Sequence, residues 1–187
     1  MKTEQLRWGL VSTARINERI IPGIRRSERA ELLAVASRTL GAAKTYAAKW
    51  DIPKAHGSYE DLLSDPEVDA VYISLPNSMH LEWAVKSAEA GKHILCEKPI
   101  ALTAEDVDTM YEAARRNGVT LQEATMMLYH AQTFRVRELI SSGAIGEIRT
   151  LRGIFNNKQS DVTDIRLIPE MGGGSLWDTG IYAVNFM

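Results

Sequence analysis

The chain has 187 residues, 45% of them hydrophobic and 25% charged, enough apolar content for one ordinary domain plus a remainder and too much for a disordered chain. Against 24 Asp and Glu stand 22 Lys and Arg, a formal charge of -2, so neither nucleic acid nor an anionic membrane is expected as a partner. A single cysteine, Cys96, excludes an intrachain disulfide, and with no Cys and His cluster no metal is expected; a reducing, cytoplasmic location follows.

Met1-Lys2-Thr3-Glu4-Gln5 leads straight toward a strand without the apolar core of a secretory signal, and no apolar run reaches the about 18 residues of a membrane helix. Leu6 to Val11 reads as a strand ending in Ser12-Thr13-Ala14-Arg15, after which Ile16, Ile20, Ile21 and Ile24 recur at helical spacing, with an end or kink expected at Pro22. Ala30 to Ser37 is a second buried strand, followed by an alanine-rich helix to Trp50. His56 to Ser58 forms a brief third, and Ser58 caps a short helix containing Leu62 and Leu63. Ala70 to Ser74 is the fourth strand, closed by Leu75-Pro76-Asn77. A helix from His80 to Ala90 then ends at Gly91, placed for a left-handed C-terminal residue.

Ile94 to Cys96 is the fifth strand, and Glu97-Lys98-Pro99 follows it directly. Proline fixes its own backbone angle and pushes its predecessor into an extended conformation, so Lys98 is presented from a stiff turn. Thr103 with Asp106 opens a capped helix to Asn117-Gly118, and Thr120 to Ala124 is a sixth strand. Short apolar strands alternating with amphipathic helices predict an α/β fold, a doubly wound parallel sheet over residues 1–124. From 125 the rhythm changes: a helix from Tyr129 to Ser142, a strand from Glu147 to Phe155, an irregular stretch to Gly174, and a helix from Ser175. Residues 125–187 thus read as the start of an α+β second domain, incomplete at Met187.

In a doubly wound sheet the ligand crevice lies at the carboxyl ends of the strands, where the winding reverses. The first loop should carry G-x-G-x-x-G, but Ser12, Ala14 and Asn17 stand at those positions. The loop Ser12-Thr13-Ala14-Arg15-Ile16 is either an ordinary strand-to-helix turn or a phosphate cradle with Ser12, Thr13 and Arg15 as donors. At the end of the second strand, where an acid meets a free ribose 2'-hydroxyl, the chain has Ser37-Arg38-Thr39. A guanidinium suits a 2'-phosphate, so NADP is expected over NAD unless Arg38 is merely solvated.

Four segments together resemble the glucose-fructose oxidoreductase, inositol dehydrogenase and MocA family, especially its aldose and dihydrodiol dehydrogenase branch: Arg7 to Arg15, Leu75-Pro76-Asn77-Ser78-Met79-His80, Ala90 to Pro99, and Gly172 to Tyr182. The resemblance implies a Rossmann domain and the start of a substrate domain. Leu75, Pro76, Asn77, His80 and Glu97 would belong to the cofactor site, although His80 equally fits the first turn of an ordinary helix. Lys98 would lie beside nicotinamide and substrate hydroxyl, and Asp178 and Tyr182 would come from the second domain to face it. Removing a hydride from a carbinol carbon requires the hydroxyl proton to leave; either Lys98 or Tyr182 can carry it, and Tyr182 is assigned that proton, with Lys98 orienting the oxygen and lowering its pKa and Asp178 binding a substrate hydroxyl. The bland alternatives are a helix cap for Asp178, plain core for Tyr182, and for Arg166 a surface arginine rather than a substrate contact.

The chain departs from sugar-dehydrogenase relatives at Leu128 and Ala131, where arginine and proline are common. Relatives also continue into an open sheet that walls the substrate site and forms an oligomer interface, so a homo-oligomer is expected if that sheet exists. The implied activity is NADP-dependent hydride transfer to or from a small sugar, polyol or cyclic diol. A non-catalytic nucleotide-binding sensor and an inactive fragment are the alternatives.

Overall fold

In the computed structural model, residues 5–161 and 163–187 are described; the lead Met1-Lys2-Thr3-Glu4 lies outside them. Contacts divide the chain into two units, Met1–Glu123 and Ala124–Met187.

The first unit alternates β1 (Leu6–Val11), α1 (Asn17–Arg26), β2 (Ala30–Ala36), α2 (Leu40–Trp50), β3 (Lys54–His56), α3 (Tyr59–Leu63), β4 (Ala70–Ile73), α4 (His80–Glu89), β5 (His93–Cys96), α5 (Ala104–Arg116) and β6 (Leu121–Glu123). All five strand pairings are parallel, in the order β3-β2-β1-β4-β5-β6. This is the Rossmann order, which reverses between β1 and β4. Strands covered on both faces must be apolar on both, and Leu10, Val11, Val35, Val71 and Ile73 are fully buried. Gly9 makes room for α3: a Cβ there would lie 3.0 Å from Leu62 Cδ2 and 3.1 Å from Val68 Cγ1.

Local signals place the helix ends. Thr39, Ser58 and Thr103 accept the amides of Ala42, Asp61 and Asp106, satisfying donors that a helix start leaves unpaired. Gly91 and Gly118 end α4 and α5 at φ 72° and 66°. The end or kink expected at Pro22 gives way to a helix that continues to Arg26. Ile21 and Ile24 bury the opposite face of α1, and Pro22 is exposed, where the carbonyl deprived of its donor stays near water.

In the second unit a 3-10 turn over Met126–Tyr129 precedes α6 (Ala131–Ser141), so the helix starts later than Tyr129. A π turn over Leu176–Gly180 then runs into α7 (Ile181–Phe186). The strand expected over Glu147 to Phe155 does not form. Its β-branched and aromatic residues, Ile148, Thr150, Ile154 and Phe155, suit a strand, but a strand exists only with a partner to share its ladder, and none of the described residues provides one.

Candidate active site

Sheet register builds the site. Val11 lies opposite both Ala36 and Ile73, and Ile73 opposite Cys96. The next residue of each strand therefore falls on one line at the carboxyl rim: Ser37, Ser12, Ser74 and Glu97, in that spatial order. Ser12 and Ser74 are the pair at the reversal, where a doubly wound sheet places its ligand crevice.

The β1–α1 loop, Ser12 to Ile16, leaves the sheet with Ser12 at φ 116°, a region that glycine favours. Thr13, Ala14 and Ile16 are partly exposed and Arg15 is exposed. Ser12 itself is buried, with its hydroxyl 2.8 Å from that of Ser74. Its side chain is thus turned into the protein, contrary to its expected use as a phosphate donor. At the exit of β2, Ser37 is buried and Arg38 exposed, and no carboxylate occupies either position.

The β5 exit is held more firmly than a proline alone explains. Tyr72, buried in β4, donates its hydroxyl to Glu97 Oε1, while Glu97 Oε2 accepts the Lys98 amide at 3.1 Å. Glu123 Oε1 accepts the Ile100 amide at 2.9 Å. The Glu97 carboxylate is thereby engaged on both oxygens, by Tyr72 of β4 and by the loop that follows it. His80 is fully buried, its Nδ1 2.8 Å from the Pro99 carbonyl and its Nε2 3.0 Å from that of Leu75. Burial pushes its pKa below the ordinary histidine value, outweighing the upward pull of the two carbonyls and of Glu97. Of the two readings of His80, the structure shows the first-turn residue of a helix, buried and tying the Leu75-Pro76-Asn77 loop to the Lys98-Pro99 loop. Pro76, Asn77 and Lys98 remain partly exposed. Cys96 beneath them is buried, and burial pushes its thiol well above the usual range, a packing residue rather than a nucleophile.

Tyr72 and Glu123 escape a motif search because their partners lie 25 and 23 positions away. Ser74 was open to discovery: it is the first polar residue after an apolar strand, as Ser12 and Ser37 are. A groove of about 850 Å3 lies elsewhere, at the amino ends of β1, β2 and β5. Its principal charges are already engaged, Arg7 with Asp69 at 2.7 Å and Lys92 with the carbonyls of Asp65 and Val68, both at 2.8 Å.

In the second unit, Asp178 accepts from Arg166 Nε at 3.3 Å, and Arg166 also pairs with Asp164 at 3.1 Å. Asp178 is therefore a partner of Arg166 in the first turn of its helix. The Tyr182 ring stacks on Phe155, centroids 5.1 Å apart and planes 20° from parallel.

Residues 6–125 match the model of the GFO/IDH/MocA oxidoreductase family with an NAD-binding Rossmann fold, and residues 133–187 match that family's C-terminal domain. The chain belongs to this family. It is 40% identical, over 95% of its own length and 55% of the relative, to a D-xylose 1-dehydrogenase (NADP(+)) of Haloferax volcanii. Identity to a trans-1,2-dihydrobenzene-1,2-diol dehydrogenase of Danio rerio is 36% over 97% of this chain and 55% of the relative. A crystal structure of a 3-ketoreductase from Actinomadura kijaniata with NADP and TDP-benzene superposes with a TM-score of 0.83 at 33% identity, covering 96% of this chain and 55% of that one. The same reductase has been crystallised with one lysine replaced by alanine or glutamate and one tyrosine by phenylalanine. The chain spans about half the length of the relatives it matches.

Proposed function

We propose that the protein is an NADP-dependent oxidoreductase transferring a hydride between nicotinamide and a hydroxyl or carbonyl of a small sugar, polyol or cyclic diol. The observation that carries this reading is the carboxyl rim of the first unit, with small residues at the sheet's reversal point, Arg38 and no acid at the β2 exit, and Lys98 on a pinned loop at the β5 exit. That donor set fits NADP. The backbone of Thr13 to Ile16 and the first turn of α1 would receive the pyrophosphate. Arg38, with Ser37 behind it, would hold the 2'-phosphate, and Pro76 and Asn77 would border the nicotinamide.

When bound, the nicotinamide accepts or gives the hydride. The chain's own work is on the proton and the substrate oxygen. Lys98, held by Glu97 and Glu123 at the two ends of its turn, orients that oxygen. Tyr182 takes or returns the hydroxyl proton, and Asp178, braced by Arg166, binds a neighbouring hydroxyl. The assignment of Lys98 and Tyr182 is supported by the A. kijaniata reductase: its substituted lysine and tyrosine are the same number of positions apart as Lys98 and Tyr182. The sugar and diol relatives support the substrate class.

The test is NADPH formation with a panel of aldoses and cyclic diols. Lys98→Ala should lower kcat by about a hundredfold or more, the scale of a positioned proton-transfer group, with NADPH affinity preserved in a fluorescence titration. Full turnover in the variant would remove Lys98 from the chemistry; NADPH binding without turnover on any substrate would point to a sensor.

A further inference from the structure

Beneath the β1–α1 loop runs a closed circuit of hydrogen bonds. The Ala14 amide donates to Ser12 Oγ at 3.1 Å, Ser12 Oγ lies 2.8 Å from Ser74 Oγ, Ser74 Oγ donates to Asn17 Oδ1 at 2.7 Å, and Asn17 Nδ2 donates to the Ser12 carbonyl at 2.8 Å. A hydroxyl has one proton to give. Because that of Ser74 goes to Asn17, the contact between the serines is donated by Ser12, and the circuit runs in one direction. Longer approaches of Ser12 Oγ to the Ser74 carbonyl, 3.2 Å, and of Ser74 Oγ to the Val11 carbonyl, 3.5 Å, are weaker alternatives for the same protons. Asn17 is wholly buried, and Ser12 and Ser74 are 8% and 7% exposed, so these bonds are largely shielded from solvent.

The place of the circuit gives it a role. Ser12 is one of two non-glycine residues in the described chain at positive φ, a conformation that persists only where its surroundings impose it. Ser74 reaches it from β4, across the point where the strand order reverses. The circuit therefore staples the floor of the crevice and sets the turn that glycines set in a G-x-G-x-x-G loop. We propose that Ser74 and Asn17 are positioning residues for dinucleotide binding, acting through Ser12 to fix the loop that receives the pyrophosphate. The proposal rests on the NADP reading above.

The experiment compares NADPH dissociation constants of the unaltered chain, Ser12→Gly, Ser74→Ala and the double variant. If the circuit acts as a unit, each single change weakens binding about tenfold, the scale of one net hydrogen bond, and the double change is no worse than the poorer single one. Equal or tighter binding by Ser12→Gly, which relieves the backbone and restores a fingerprint glycine, overturns the proposal, as do losses that multiply in the double variant. Should Ser74→Ala lose its folded circular dichroism spectrum, Ser74→Cys, close in volume and a far weaker donor, replaces it with the same expectation. Failure of the unaltered chain to bind NADPH overturns both the NADP reading and this one; binding by it with unaffected variants overturns this one alone.

Discussion

Leu62 in α3 has no exposed surface, and Leu151 in the second unit is 53% exposed. The contrast holds generally: among the described residues, Leu40 and Tyr111 are the largely exposed large hydrophobics of the first unit, while the second exposes Phe134, Ile145, Leu151, Ile154, Phe155, Leu176 and Phe186, among others. The cause is pairing. Each strand of the first unit has a neighbour and a helix to cover it, whereas the 147–155 stretch has apolar residues and no ladder. A residue at the first unit's rim is accordingly fixed by register and packing. The roles given to Asp178 and Tyr182 follow from sequence likeness, with Arg166 and Phe155 as their observed partners.

Substitutions sharpen this difference. Leu62→Ala should cost about 2–5 kcal/mol of unfolding free energy, the range for a large buried aliphatic, whereas Leu151→Ala should stay within about 0.5 kcal/mol. Urea titrations of both variants measure this, and a comparable loss at Leu151 would mean that the second unit has a core of its own kind. Arg38→Ala should weaken NADPH binding about 10- to 100-fold, the value of a hydrogen bond to a charged group, and leave NADH binding unchanged. Parallel titrations decide it, and equal losses for both nucleotides would remove Arg38 from the 2'-phosphate.

The smallest effect expected is on acid stability. His80 has a folded pKa lowered by burial, so as pH falls through about 6.5 the unfolded chain takes up a proton that the native state refuses. Stability present above that pH is then lost on acidification, at no more than about 1.4 kcal/mol per pH unit from this group. Asp69, held below the usual carboxylate range by Arg7, adds a further loss at lower pH. A urea midpoint that does not move between pH 7.5 and 5.5 would contradict the burial of a neutral His80.

What could be read from the sequence was local. Caps at Ser58 and Thr103 and the glycine at 91 announce themselves within four residues, and the period of apolar runs gives the sheet. What escaped depended on distant partners. Ser74 meets Asn17 from 57 positions away, His80 is defined by the carbonyl of Pro99, and the 147–155 stretch has a strand's residue types but no partner. Pro22 misled for the same reason, because the buried face of α1 outweighs a breaker placed on its exposed one.

The shared register of Ser37, Ser12, Ser74 and Glu97 bears on how such a chain can change length. Side chains alternate faces along a strand, so one residue inserted into or deleted from β4 would turn its remaining side chains over and move Ser74 off the rim. The loops between rim and helix carry no such constraint. Variation in length should therefore collect between the elements, and the spacing from each strand to its rim residue should behave as a fixed unit of measure.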